Sequence, residues 1–104
     1  MPQVSKNPVS KETEKKIRRA FARALVGLKS EGEAERYIFD LLTPTERIML
    51  AKRLAIAAML IEGLSYRQIA EKIKVSTATI GRVNLWLRTA GDGYRLAIKK
   101  MGQL

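Results

Sequence analysis

The sequence contains neither cysteine nor histidine in its 104 residues. Disulfide bonds, thiolate metal sites, thiol nucleophiles and imidazole acid–base chemistry are therefore excluded together. Catalysis would have to rest on carboxylates, lysines or hydroxyls. The sequence has no glycine-rich phosphate loop after a strand and no carboxylates paired at a spacing suited to acid–base work. We therefore predict a protein that is not an enzyme and that binds neither a cofactor nor a metal.

Acidic residues are also scarce, because 10 Asp and Glu stand against 20 Lys and Arg, for a net charge of +10. Such a positive field attracts polyanions, either nucleic acid or an anionic membrane surface. The alternative is a surface charge that serves solubility alone.

Long apolar runs are absent as well. The longest one, residues 54–61, is too short to cross a bilayer, and the first sixteen residues lack the apolar stretch of a signal peptide. We expect a soluble cytoplasmic protein with no membrane partner.

Alternating strand patterns are missing, and the apolar residues recur at helical spacing instead. Residues 1–10, which contain Pro2 and Pro8, predict a flexible basic tail, and residues 11–104 predict a single all-α domain of about six helices. Hydroxyl residues mark three of the helix starts: Ser30, Thr43 before Pro44, and Ser65. Gly63 marks the end of the third helix, and Asp92 is a candidate cap for the last one.

The first two helices carry apolar stripes that a chain of this size has little else to cover. The stripes comprise Ile17, Phe21, Ala24, Leu25 and Leu28, followed by Ala34, Tyr37, Ile38 and Leu41. Small chains with such helices commonly bury them in a partner. The other possibility is that both helices fold back on the central helix within one monomer. We predict an obligate dimer.

Residues 65–88, SYRQIAEKIKVSTATIGRVNLWLR, predict two helices joined by a tight turn, and we call this segment the elbow. Ala70 is small enough for the second helix to cross the first, and Val75 in the turn can tuck inward. Ile80 and Val83 would anchor the second helix. These are the requirements of a helix-turn-helix. Lys74 occupies the position after the first helix where glycine is common, so the turn can be remodelled there.

The outward face of the second helix is small and polar, which lets its backbone approach base edges in the major groove. This face carries Ser76, Thr77, Ala78, Gly81 and Arg82. Arg82 could form bidentate contacts with guanine. Lys72, Lys74 and Arg88 are positioned to neutralise phosphates. An ordinary pair of antiparallel helices with a short polar face is the alternative, but the basic charge favours binding to double-stranded DNA.

The segment from residue 41 to residue 88 resembles the Trp repressor family, and more closely its YerC/YecD-like branch. The matching residues are Leu41, Leu42, Thr43, Pro44, Glu46, Arg47 and Arg53, followed in the elbow by Ser65, Arg67, Ala78, Thr79, Ile80 and Arg82. The resemblance implies an intertwined homodimer that places two elbows in successive major grooves of a pseudo-palindromic operator. It also implies that Arg67, Thr77, Ala78, Thr79 and Gly81 face the DNA.

The resemblance extends in part to the family's tryptophan pocket. Thr43, Arg53 and Arg82 stand where that pocket has a threonine and two arginines, which makes them the candidate ligand residues. However, Val83 replaces a glycine of the pocket and Trp86 replaces a serine. We expect these two side chains to fill the pocket. The alternative is that Val83 anchors the second helix of the elbow to the first while Trp86 packs elsewhere. In both cases we expect tryptophan not to act as a corepressor.

The leading hypothesis is therefore a dimeric, sequence-specific transcriptional repressor that reads the major groove. A second is a basic structural protein that binds DNA or RNA without sequence preference. A third is a protein–protein adaptor whose charge serves only solubility.

Overall fold

A computed structural model describes residues 8–104, and within that range the chain is helical with no strand. Six helices follow one another: α1 Lys11–Gly27, α2 Glu31–Leu41, α3 Pro44–Glu62, α4 Tyr66–Ile73, α5 Thr77–Thr89 and α6 Asp92–Met101. The predicted all-α fold with six helices is confirmed. Residues 1–7 of the predicted tail lie outside the described range, and Ser10 is already the N-cap of α1.

The helix starts follow local side-chain chemistry. Ser10, Ser30, Ser65 and Ser76 each accept a hydrogen bond from the backbone N–H three residues later. Thr43 and Glu46 cap α3 reciprocally, since Thr43 Oγ1 accepts from the Glu46 N–H and a Glu46 carboxylate oxygen accepts from the Thr43 N–H. The last helix differs from the prediction. Gly91 takes the N-cap position and Asp92 is the first helical residue, so no side chain caps α6.

The helices form two compact units, and the division falls within α3. The first unit extends to Arg47. In it the rings of Phe21 and Tyr37 lie 6.2 Å apart between α1 and α2. The Arg47 guanidinium lies 4.2 Å above the ring of Phe39 and donates to the carbonyl oxygen of the same residue. Neither α1 nor α2 buries a side chain over its described length, so their apolar stripes remain exposed in the single chain.

The second unit, Ile48–Leu104, contains the core. Side chains of α3, α4 and α5 form it: Ile56, Ala57, Ile69, Ile80, Val83 and Leu87. Tyr94 and Ile98 of α6 pack against this cluster. The apolar run of α3 is buried at residues 56–58, whereas Ile61 stays about half exposed. The core therefore holds the elbow against α3, and apolar side chains of α3 remain at the surface.

Between α5 and α6 the chain turns at Gly91, which is buried and has a φ of +24°. A Cβ at this position would lie 2.5 Å from the Leu87 carbonyl oxygen and equally close to the Arg95 guanidinium. Arg95 donates to that same carbonyl at 2.9 Å. Only glycine fits this close approach of backbone to backbone.

Candidate nucleic-acid interface

The elbow begins with a complete capping box. The Ser65 hydroxyl accepts from the Gln68 N–H at 3.1 Å, and the Gln68 side chain accepts from the Ser65 N–H at 2.8 Å. Ile69 then enters the core with no exposed surface. This arrangement fixes both the start of α4 and the face that α4 turns toward the core.

The turn of the elbow keeps the geometry that glycine usually supplies. Lys74 adopts the left-handed conformation, with φ 55° and ψ 58°, and within residues 8–104 it is the only non-glycine residue at positive φ. Its N–H donates to the carbonyl of Ala70. The turn is therefore not remodelled, and a lysine bears the conformational cost.

Two hydrogen bonds between residues distant in sequence hold the elbow in place, and no sequence pattern predicted them. Lys52 of α3 donates from Nζ to the carbonyl oxygen of Lys74 at 3.2 Å. Asn84 of α5 donates to the hydroxyl of Tyr66, the first residue of α4, at 2.9 Å. The two bonds join residues 22 and 18 positions apart. The first ties the turn to the scaffold helix, and the second joins the two helices of the elbow.

The predicted DNA-facing residues separate by exposure. Thr79 and Gly81 are half-buried, and the other eight are exposed: Arg67, Lys72, Lys74, Ser76, Thr77, Ala78, Arg82 and Arg88. The Ser76 hydroxyl accepts from the Thr79 N–H at 3.1 Å and lies 3.0 Å from the Thr79 hydroxyl. The Ser76 hydroxyl therefore caps α5 and is hydrogen-bonded to the Thr79 hydroxyl, whereas Thr77, Ala78 and Gly81 present small groups at the N-terminal end of the helix.

Gly81 of α5 and Arg67 of α4 bear on what the surface of the elbow can bind. A Cβ built on Gly81 would have no atom within 4 Å, so the packing of the single chain does not require glycine there. Arg67 forms an exposed ion pair with Glu71, with 3.5 Å between Nε and the carboxylate oxygen. Such exposed pairs contribute little to stability, so Arg67 can exchange Glu71 for another acceptor at small cost.

Beside α5 lies a cavity of about 590 Å³, lined by residues that include Lys52, Arg53, Arg82, Val83, Trp86 and Tyr94. Two of the three candidate ligand residues, Arg53 and Arg82, thus share one cavity. Thr43 belongs to the first unit and caps α3. The Thr43 N–H and hydroxyl hold the pKa of the Glu46 carboxyl below its ordinary value.

Val83 and Trp86 both lie in the wall of this cavity, and the expectation that they fill the family's pocket stays a prediction. Val83 is only 6 % exposed and packs into the core with Ile80, so it forms part of the wall. The side chain of Trp86 is 61 % exposed and also lines the cavity.

The comparisons with known proteins agree with this architecture. The sequence model of the family described as Trp repressor protein matches residues 17–102. The chain belongs to the Trp repressor family. Its relatives in the YerC-like branch include the uncharacterized protein YerC of Bacillus subtilis, which is 38 % identical over 78 residues that make up 75 % of each chain.

Solved structures of the family support the fold over nearly the whole length. A TrpR-like protein from Eubacterium eligens has a TM-score of 0.81 at 35 % identity, over 91 % of this chain and 98 % of that one. A candidate Trp repressor from Staphylococcus aureus has a TM-score of 0.78 at 30 % identity, over 88 % of this chain and 95 % of that one. The family is a regulatory DNA-binding family, so the elbow is its helix-turn-helix.

Neither a metal site nor a membrane span accompanies the elbow in the described part of the chain. No group of three or more acidic side chains within residues 8–104 could hold a metal ion. No helix in the same range is long and apolar enough to cross a membrane.

Proposed function

We propose that the protein is a sequence-specific transcriptional repressor, with no enzymatic activity, that inserts α5 into the major groove of double-stranded DNA. The observation that carries the proposal is the small, exposed N-terminal face of α5 on a helix held by two tertiary hydrogen bonds. A rigid helix with small side chains lets its backbone approach base edges closely, and rigid support gives base contacts their discrimination.

The charged residues of the elbow divide into two roles in this proposal. Lys72, Lys74 and Arg88 contact phosphates and supply affinity that does not depend on sequence. Arg67 and Arg82 flank the small face and contribute to base recognition, together with Thr77, Ala78, Thr79 and Gly81. This assignment rests on their exposure and on the positions at which the family reads DNA.

A dimer is part of the proposal, because one elbow reads only half of a palindromic site. The exposed apolar faces of α1 and α2 support it, since a single chain leaves Ile17, Phe21 and Leu25 about half exposed. Two elbows would then meet half-sites ~34 Å apart, or a multiple of that distance, on one face of the duplex. A cytoplasmic, nucleoid-associated location follows from this function.

The proposal also includes DNA binding without tryptophan. The cavity beside α5 is open and contains Arg53 and Arg82, but its walls carry a valine and an indole where the family's pocket has glycine and serine. A tryptophan ligand would have to share that space with the Trp86 indole. We expect titration with L-tryptophan to produce no heat, no rise in Tm and no gain in DNA affinity. A tenfold tightening on DNA would instead make Thr43, Arg53 and Arg82 ligand residues.

Selection from random duplexes tests the function directly. We expect a pseudo-palindromic consensus that binds at least about a thousandfold more tightly than random duplex at physiological salt. Thr79→Ala or Arg67→Ala should lower that ratio by roughly 1–3 kcal/mol at one position of each half-site, with affinity for random duplex nearly unchanged. Equal losses on selected and random duplexes would favour a structural nucleic-acid binder without sequence preference.

A further inference from the structure

A row of four cations runs along α1, away from the elbow. Lys11, Lys15, Arg19 and Arg23 follow one another at intervals of four residues, and all four are exposed. Four residues of α-helix rise ~6 Å, so this basic row is ~18 Å long. Within residues 8–104, none of its members forms an ion pair.

The row lies on the opposite side of α1 from the apolar stripe. Arg19 follows Ile17 by two residues and Arg23 follows Phe21 by two, and two residues correspond to ~200° around the helix axis. The Phe21 ring already contacts Tyr37 of α2. One ring on the apolar side of α1 thus contacts α2, and the basic side faces away from that contact.

The charge of α1 matches that of the elbow. The helix carries six cations against Glu12 and Glu14, for a net charge of +4 over 17 residues. The elbow carries five cations against Glu71, which is also +4, over residues 65–88. The function proposed for the elbow therefore leaves an equally strong positive surface unexplained.

Solubility alone does not account for the row. A soluble surface is achieved by interspersed charges of both signs, whereas like charges four residues apart on a helix repel and destabilise it. Three such pairs occur in succession along the row. Glutamates lie three or four residues from Lys11, Lys15, Lys16 and Arg18, but Arg19 and Arg23 have none at that spacing. A polyanion lying along the row would remove the repulsion among its members.

We propose that the basic row of α1 is a second DNA-binding surface, which contacts the phosphate backbone of duplex DNA without reading its sequence. The inference rests on the DNA binding proposed for the elbow and adds a site to it. Duplex DNA fits better than a membrane, because an interfacial helix inserts its apolar side into the lipid, and the apolar side of α1 is the one proposed to be covered in the dimer. Along duplex DNA one phosphate charge occurs per ~1.7 Å of axis, so phosphates are available along the whole row.

The test compares two double variants of the full chain that remove the same charge. Lys15→Gln with Arg19→Gln interrupts the row, and Lys99→Gln with Lys100→Gln removes two cations from the last turn of α6. Glutamine has nearly the helix propensity of lysine and arginine, so the first variant should fold with an undiminished Tm. Affinity for a random-sequence duplex is then measured as a function of salt concentration.

We expect the row variant to bind about tenfold or more weakly at 50 mM salt. Its slope of log affinity against log salt should be smaller by roughly 0.9 for each phosphate that it no longer neutralises. The α6 variant should retain both the affinity and the slope. The ratio between selected and random duplex should not change in the row variant, whereas Thr79→Ala lowers it. A failure of the elbow to read sequence therefore leaves the test of the row intact.

Two results would overturn the inference. In the first, both double variants bind DNA equally weakly, and the row then acts only through the net charge of the chain. In the second, the row variant binds DNA normally but no longer binds phosphatidylserine vesicles that retain the native chain. The row would then be a membrane-binding surface.

Discussion

At two positions of the elbow, a different residue would fit the same backbone and make the folded protein more stable. Gly81 lies inside a helix in open space, where alanine would fit. Lys74 lies in the left-handed region, where glycine would fit better. Surface residues that lower the stability of the fold indicate a role in binding, and these two lie on the surface proposed to contact DNA.

Gly81→Ala should raise stability and weaken DNA binding. Alanine is favoured over glycine in a helix by about 1 kcal/mol, which corresponds to a rise in Tm of roughly 4–8 °C for a domain of this size. The added methyl group separates α5 from the base edges, so specific affinity should fall by roughly 1–3 kcal/mol. Thermal melts and DNA titrations measure the two effects.

Gly32→Ala in α2 is the control for this prediction, because a Cβ there meets only Ser30 Oγ, at 3.8 Å. It should add stability without changing DNA affinity. Unchanged DNA affinity in Gly81→Ala would show that the backbone of α5 does not approach the bases.

Lys74→Gly should stabilise the turn. The left-handed conformation costs a lysine about 1–2 kcal/mol, and glycine removes this cost. Glycine also increases the entropy of the unfolded chain, which offsets the gain in stability by about 0.4–1 kcal/mol. The net gain is roughly 0.5–1 kcal/mol in the free energy of unfolding measured in urea. The bond from Lys52 persists, because it ends on a backbone carbonyl.

Lys74→Ala separates conformational strain from the removal of the lysine charge. Alanine has a Cβ and keeps the cost of the left-handed backbone, so this variant should gain no stability. Equal stabilities of the two variants would show that strain at residue 74 is negligible.

At the scale of the element, the start of α3 joins a local cap to a titrating group. The Glu46 carboxylate accepts from the Thr43 N–H at 2.8 Å, and the Thr43 hydroxyl accepts from the Glu46 N–H at 3.2 Å. The bond from the Thr43 N–H favours the ionised carboxylate, and together with the nearby Thr43 hydroxyl it lowers the pKa of Glu46 from its ordinary value of 4.5. The first turn of a helix also favours a negative charge.

The contribution of Glu46 should therefore depend on pH in one direction. A carboxyl whose pKa is lower in the folded state than in the unfolded state stabilises the fold above pH ~4.5, and this contribution is lost as the pH falls through the folded-state pKa. Glu46→Gln keeps an acceptor in the cap but removes the charge. The difference in unfolding free energy between Glu46→Gln and the native chain should be largest near neutral pH and should disappear in acid. A difference independent of pH would contradict this account.

At the scale of the whole molecule, the single chain exposes a large amount of apolar surface. Phe21 is 43 % exposed, and large side chains on α1, α2, α3 and α6 are similarly accessible. Soluble monomers seldom leave so many large apolar side chains exposed on several helices. A second copy of the chain is the partner that the proposed function requires.

Phe21→Asp should abolish the dimer. A carboxylate placed in an apolar interface is either left unpaired or prevents association. Loss of the phenyl ring, which the dimer would bury, lowers the stability of the dimer by about 3–5 kcal/mol more. Light scattering should then show an unfolded chain or a monomer that does not bind DNA.

Val26→Asp is the matched control, because Val26 is 83 % exposed and lies five residues from Phe21, about 140° around the helix. This variant should remain dimeric. A native chain that scatters light as a stable monomer and still binds DNA would end the dimer proposal.

The six helices and most of their caps could be predicted from the sequence, because these features depend on interactions within about four residues. The caps of Ser65 with Gln68 and of Thr43 with Glu46 are predictable from spacing alone, and the order and spacing of the matching residues between 41 and 88 were sufficient to identify the family. Asp92 was predicted as the cap of α6, but Gly91 takes that position, because the backbone turns there at a φ of +24° and brings the Leu87 carbonyl too close for a Cβ. The types of the neighbouring residues did not indicate that turn.

The hydrogen bonds that hold the elbow and the cavity beside it became visible only in the tertiary structure. The bonds from Lys52 to the Lys74 carbonyl and from Asn84 to Tyr66 join residues too far apart in sequence for any helical period to indicate them. The cavity beside α5 also depends on the packing of several helices, because its lining residues come from α3, α5 and α6. The direction of the Val83 and Trp86 side chains follows from how α5 packs against α3, and residue size alone does not specify that packing.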